Sequence, residues 1–437
     1  MTPGARLQAA IELLDQIEQT PRPADAVISA FFRARRYIGA KDRAAVAESV
    51  YAVLRHHARL RWWLDLAGHP VEARALVIAE QILGGRSAET MENLFSGGKF
   101  APLPFTAAEA KLARTLNRHT LAHPDMPEWV SVECPDWAAE SMRAALGERF
   151  DIELAALLEP APLDLRINPI KGDRPTALAA LRNLGIEAEP TQWSPWGIRV
   201  KGRPPLAGTD IFRNGLIEIQ DEGSQLVALV ADARPGHQVV DFCSGAGGKA
   251  LAMAATMDNK GRVVACDVLE RRLERAADRL RRAGLHNVET RALTSERDPW
   301  VKRHKGKFDR VLVDAPCTGT GTWRRNPDSR WRLLGPGLSQ LVGIQQSILD
   351  SAARLVRPGG RLIYATCSML AEENERQIDT FLAGHPDFTV QPLDAVWPAA
   401  IDSDPPPTGG PYLRLSPARH GTDGFFAAVM ERQAEAA

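Results

Sequence analysis

The chain has 437 residues, 44% apolar and 25% charged, with 54 basic against 54 acidic side chains. That balance excludes a disordered, collagen-like or coiled-coil chain, and at about 150 residues per domain the length predicts two or three domains. There is no uninterrupted apolar run of about 18 residues and no signal-peptide pattern in the first ten residues, so no membrane association and a cytoplasmic location are expected.

Residues 1–145 read as an all-helical domain. Leu7, Ala10, Ile11, Leu14 and Ile17 fall at helical spacing, and Ala26–Phe32 and Ala44–Leu64 continue the pattern. Ser96, Gly97, Gly98, Pro102 and Pro104 mark a loop, and His123–Asp136, with three prolines, reads as a connector. Residues 150–225 form a small mixed α/β unit: Leu163–Asn168 alternates like a strand, Pro175–Leu184 is helical and Gly197–Val200 is strand-like. Residues 226–437 alternate strand and helix. Strands are expected at Gln238–Phe242, Arg262–Cys266, Val288–Leu293, Arg310–Val313 and Arg361–Ala365, with helices such as Leu269–Arg282 and Gly343–Leu355 between them. Phe425–Met430 is a further strand candidate, and Asp404–Pro411 is too rich in turn residues for regular structure. Short β-branched strands alternating with helices imply an α/β fold with a doubly wound, Rossmann-like parallel sheet.

Five cysteines, Cys134, Cys243, Cys266, Cys317 and Cys367, are odd in number and too scattered for a metal knuckle. Neither disulfides nor a metal site is expected. The first strand of the large unit runs into Cys243-Ser244-Gly245-Ala246-Gly247-Gly248-Lys249. Glycines let the backbone approach a ligand, and the following helix offers free N–H groups. The next strand ends in Asp267, an acid placed to accept ribose hydroxyls. These two features indicate a nucleoside cofactor and leave NAD and S-adenosylmethionine both open. Asp314-Ala-Pro-Cys317 and Thr366-Cys367-Ser368 then place two thiols at strand C-termini, the edge where doubly wound sheets bind ligands. If the two strands are neighbours, both thiols converge on one pocket.

The paired cysteine motifs resemble those of the Sun/RsmB-type RNA 5-cytosine methyltransferases. Arg166-Ile-Asn168, Gln220-Asp-Glu-Gly-Ser224 and Asp423-Gly-Phe-Phe426 match the same family, and Lys41-Asp-Arg with Val50–Arg55 looks like the NusB-type RNA-binding domain of its bacterial branch. In the glycine loop Ser244-Gly245-Ala246 replaces the family's Ala-Ala-Pro, and within Arg291–Asp298 no acid aligns with the one that often follows the third strand on the adenine side.

The resemblance implies S-adenosylmethionine as cofactor, RNA as partner and a monomeric enzyme. It implies Cys367 as the nucleophile adding to cytosine carbon 6, with Cys317 assisting product release. Asp314 would hydrogen-bond the cytosine edge, oriented by Lys249, while Asp267 holds the ribose and Arg272 supports the adenosine side. Small-subunit 16S rRNA is the implied substrate; tRNA, or a catalytically silent assembly factor that only binds RNA, are the alternatives. Leu269–Arg332 carries 17 Lys and Arg against 9 Asp and Glu. Its stretch Trp323-Arg324-Arg325…Arg330-Trp331-Arg332 mixes cations with indoles, which suits phosphate contact and base stacking; a packed tryptophan pair under a charged loop is the plainer reading. Arg33, Arg35, Arg36, Arg55, Arg59 and Arg61 offer a second basic surface.

Overall fold

The computed structural model describes residues 1–398, 401 and 404–434. They form two compact units, Met1–Glu159 with Trp323–Gly335, and Pro160–Thr322 with Pro336–Ala437.

The first unit is helical. Pro3–Glu18 is capped by Thr2, whose hydroxyl accepts the Ala5 N–H, and buries Leu7, Leu13, Leu14 and Ile17 along one stripe. Ala24–Ala34, Ala40–Arg55 and Ala73–Leu83 bury Phe31, Val46, Val50, Val53 and Ile78 in the same core. The continuous periodicity of Ala44–Leu64 conceals a break: one helix stops at Arg55 and another runs from His57 to Leu66. The reason is Glu133, whose carboxylate accepts the N–H groups of Ala58 and Arg59 and so caps the second helix. Burial raises the Glu133 carboxyl to about 7.

Trp323–Gly335 packs into this unit. Arg330 is buried and donates to the carbonyls of Glu133 at 2.9 Å and Leu157 at 3.2 Å, with its guanidinium 4.7 Å from the Trp323 ring. Asp328 accepts the Ala24 N–H, and Trp323 meets Trp137 edge to face. The expectation that this run faces RNA is therefore corrected for Trp323, Arg324 and Arg330, which are all buried. Indole and guanidinium planes stack as well inside a core as on a base.

The second unit holds two sheets. In the smaller, β1 (Leu163–Ile167), β2 (Ala188–Pro190), β3 (Gly197–Val200) and β4 (Ile217–Ile219) run antiparallel in the order β2-β3-β1-β4. Helix Arg174–Asn183 packs Ala177 and Leu181 into the same core as β1, β3 and β4. The larger sheet contains β5 (Gln238–Asp241), β6 (Arg262–Asp267), β7 (Val288–Ala292), β8 (Phe308–Asp314), β9 (Val356–Thr366), β10 (Phe388–Gln391), β11 (Leu413–Leu415) and β12 (Phe425–Arg432). Its order is β10-β12-β9-β8-β5-β6-β7, with β11 beside β12. Strands β5 to β9 are parallel; β12 joins β9 antiparallel. Val239, Val240, Val263, Val264, Val311, Val313 and Ile363 are fully buried, as expected of central parallel strands covered on both faces. The chain runs β5, β6, β7 in one direction and then returns to β8 and β9 on the other side of β5. That reversal opens a ligand crevice beyond the C-terminal ends of β5 and β8. The loop at 404–412 carries no regular structure.

Candidate active site

Four strand ends supply the site. After β5 the chain turns through Cys243–Gly247 into helix Gly248–Thr256. Gly247 has φ +78°, and a Cβ there would lie 2.8 Å from Cβ of Ala276, so only glycine fits this close helix packing. Gly245, at φ +57°, faces open space. Lys249, one residue into the helix, is buried and reaches Oδ2 of Asp314 at the end of β8, 2.6 Å away. Burial pulls the pKa of this ammonium down, but the charge of Asp314, its hydrogen bond and the charges of Asp241 and Cys367 raise it overall.

Cys317 and Cys367 follow β8 and β9, which are parallel neighbours, and their sulfurs are 3.4 Å apart. The two loops are stitched together. Gly321 N–H donates to the Cys367 carbonyl at 2.9 Å, and Met369 N–H to the Thr320 hydroxyl at 2.8 Å. Gly424 passes so close to Gly321 that a Cβ on either would clash with the other's backbone. The Cys317 thiol is raised well above its ordinary pKa by its hydrogen bond with Cys367, by burial, and by the charges of Cys367 and Glu373.

Asp267 ends β6. Its carboxylate accepts the Gly245 N–H at 2.9 Å and the Leu269 N–H at 2.7 Å, which fixes it beneath the glycine loop with lone pairs to spare. Arg272 lies 3.9 Å from it and is 55% exposed, a loose surface pair. Asp241, at the end of β5, is fully buried, and neither oxygen forms a well-shaped hydrogen bond. Burial and the charge of Asp314 raise it to about 7, tempered by Lys249, Ser244 and the Ala250 N–H. Together these groups fit S-adenosylmethionine. Asp267 can accept the ribose hydroxyls, the open face of Gly245 leaves room for the backbone to be approached, and the under-satisfied oxygens of Asp241 suit a cationic amino group. Of the two acids that follow β7, Glu296 accepts the Ser347 hydroxyl and Asp298 is spent on Thr294 and on the N–H of Trp300 at a helix start. Cys243 is pushed well above its ordinary pKa by burial, and Cys266 is likewise raised, so neither is activated.

The small sheet braces the cofactor loop. Arg166 on β1 donates to the Gly248 carbonyl at 2.8 Å and to Gln220. Arg279 donates to the Ala246 carbonyl at 2.6 Å and pairs with Glu218 on β4. Asn168 donates to the Ala283 carbonyl at 2.8 Å, at the C-terminus of helix Glu270–Ala283. Nothing local in the sequence marks Arg279 or Glu218, because their pairing joins positions 61 residues apart.

Residues 228–431 match the family described as 16S rRNA methyltransferase RsmB/F, and residues 134–207 match the ferredoxin-like domain of the same proteins. The ribosomal RNA small subunit methyltransferase B of Xylella fastidiosa is 36% identical over 68% of this chain and 68% of its own length. The probable counterpart from Synechocystis is 34% identical over 68% of this chain and 66% of its own length, just under two thirds. That of Photorhabdus laumondii is 28% identical over 90% of this chain and 91% of its own. Among solved structures, PH0851 covers 99% of both chains with a TM-score of 0.80 at 26% identity. A methyltransferase homolog from Pyrococcus horikoshii covers 71% of this chain and all of its own, with a TM-score of 0.59 at 28% identity.

Proposed function

This chain belongs to the RsmB/F family of methyltransferases, with S-adenosylmethionine as its cofactor, and from that premise we propose that it methylates carbon 5 of a cytosine in 16S ribosomal RNA through a covalent cysteine–cytosine intermediate. The observation that carries the reading is the pair of sulfurs 3.4 Å apart beside the ion pair of buried Lys249 with half-buried Asp314.

Carbon 5 of cytosine is a poor nucleophile until a thiolate adds to carbon 6 and makes the ring enamine-like. When bound, S-adenosylmethionine supplies the electrophilic methyl group. Cys367, in the Thr366-Cys367-Ser368 motif, is the nucleophile by its match to the family pattern, and Cys317, whose thiol is pushed up by its hydrogen bond with Cys367 and by burial, is the partner sulfur 3.4 Å away. Bonding of Cys367 to carbon 6 removes its hydrogen bond with Cys317, and the Cys317 proton passes to solvent, leaving that sulfur free to accept another. Cys317 then accepts the carbon-5 proton, the electron pair left behind restores the ring double bond, and the Cys367–carbon 6 bond breaks. Asp314, oriented by Lys249, hydrogen-bonds the cytosine edge. Residues 243–249 cradle the cofactor, Asp267 takes its ribose and Arg272 flanks the adenosine. A cytosine reaches this pocket only after leaving its stack. Residues 1–145 act as a NusB-like RNA grip, 150–225 as a small unit bracing the cofactor loop and 226–437 as the catalytic fold, in a monomeric enzyme.

The test is incubation of the purified protein with 16S rRNA and methyl-labelled cofactor, followed by nucleoside analysis and bisulfite sequencing. The label is expected in 5-methylcytidine at a discrete site; label in another nucleoside would overturn the reading.

A further inference from the structure

Between the two cysteine loops lies a carboxylate to which the reaction above gives no role. Glu373 is fully buried in the short turn Ala371–Glu373 that follows the Cys367 loop. One of its oxygens accepts the Thr318 backbone N–H at 2.9 Å, and the other accepts the Thr318 hydroxyl at 2.5 Å. Gln345, on helix Leu338–Ala353, donates to the first oxygen at 2.9 Å and also to the Pro316 carbonyl at 2.9 Å. The residues on both sides of Cys317 are therefore tied to one carboxylate, Thr318 directly and Pro316 through Gln345. Glu373 is itself anchored near the other cysteine, since its backbone carbonyl accepts the hydroxyl of Tyr364, on β9, at 2.7 Å.

Burying a carboxylate is unfavourable unless its lone pairs are filled, and three donors converge to fill these. Mere packing between two loops would be served as well by an apolar side chain. What the carboxylate adds is a fixed position for Cys317 and a negative charge beside it.

We propose that Glu373 is a positioning residue for Cys317, holding that sulfur against Cys367 for the release half of the reaction. The proposal rests on the assignment of Cys367 as nucleophile and Cys317 as proton acceptor. In the release half the carbon-5 proton moves to the Cys317 sulfur, its electron pair rebuilds the 5,6 double bond, and the Cys367–carbon 6 pair returns to Cys367. A sulfur displaced from the proton, or deprived of the neighbouring charge that makes it basic, slows this half and leaves attack and methyl transfer untouched.

Glu373→Gln keeps the size but offers one acceptor oxygen to three donors. In the full-length protein with RNA and cofactor, kcat is expected to fall by about tenfold or more, with KM for both substrates held within about twofold. A protein–RNA adduct that survives denaturing electrophoresis should accumulate, as it should in Cys317→Ala, while cofactor binding by calorimetry stays unchanged. A merely structural role would lower the active fraction and melting temperature without trapping adduct. Wild-type turnover in Glu373→Gln, or slow turnover with no adduct while Cys317→Ala traps it, overturns the proposal and leaves the cysteine assignment standing. If Cys317→Ala itself traps nothing, the cysteine assignment falls and this proposal with it. Should Glu373→Gln fail to fold, Thr318→Val and Gln345→Ala test the same tether. Partial adduct accumulation is expected in both, and wild-type turnover without adduct in both overturns the proposal.

Discussion

Asp241→Asn replaces a buried, under-satisfied carboxylate with a neutral group of the same shape. Burial and the nearby Asp314 raise the Asp241 carboxyl from its ordinary 3.8 to about 7. The folded protein thus binds this proton more tightly than the unfolded chain does. Stability from this group is fully present below about pH 4, declines as pH rises, and is lost above about pH 7. A shift of this size is worth about 4 kcal/mol in total, of which about 3 kcal/mol falls between pH 5 and pH 8. The asparagine variant carries no such penalty. Its stability relative to wild type should therefore climb by about 3 kcal/mol over that window, although its affinity for the cofactor should fall. Urea unfolding at several pH values, followed by hydrogen exchange in a peptide covering β5, isolates the second unit from the first. A stability difference that stays constant from pH 5 to pH 8 would show that Asp241 ionises normally, and the electrostatic account of the site would be wrong.

Two further variants separate positioning from contact. Arg166→Met touches no substrate but takes a charged donor from the Gly248 carbonyl and from Gln220; losing such a charge-assisted hydrogen bond costs about 1.5–3 kcal/mol, so the cofactor Kd should rise about tenfold or more. An unchanged Kd by calorimetry would refute the bracing role of the small sheet. Arg330→Met should destabilise the first unit by about 2–4 kcal/mol, because two buried carbonyls lose their donor. It should leave the salt dependence of RNA binding unaltered, whereas loss of a phosphate contact would reduce that slope by about one.

The strand–helix alternation was legible because the central strands are short, β-branched and bounded by glycine or acid, and their C-terminal ends carry the residues on which the chemical reading rests. Cys317 and Cys367 could be paired from sequence only on the condition that β8 and β9 are neighbours, which the sheet order supplies. The break at His56 was invisible, because the carboxylate that caps the second helix comes from Glu133, 75 residues past Ala58. The burial of Arg330 was equally hidden, since its partners sit 197 and 173 residues away and a guanidinium beside an indole has the same sequence signature in a core or on a surface. Arg166, Asn168 and Gln220 were visible as motif residues, but their work on the glycine loop depends on how one sheet packs on another. Glu373 stands in the acidic run Glu372-Glu373-Asn374-Glu375, and nothing local reveals that three donors converge on it.

The central claim is that Cys367 bonds to the base and Cys317 releases it. The most direct measurement is a denaturing gel of wild type, Cys317→Ala, Cys367→Ala and the double variant, each with RNA and cofactor, with the RNA-linked peptide identified by mass spectrometry. The account predicts an adduct in Cys317→Ala alone, attached through Cys367 and dependent on cofactor. An adduct in Cys367→Ala instead, attached through Cys317, would contradict it by exchanging the two roles.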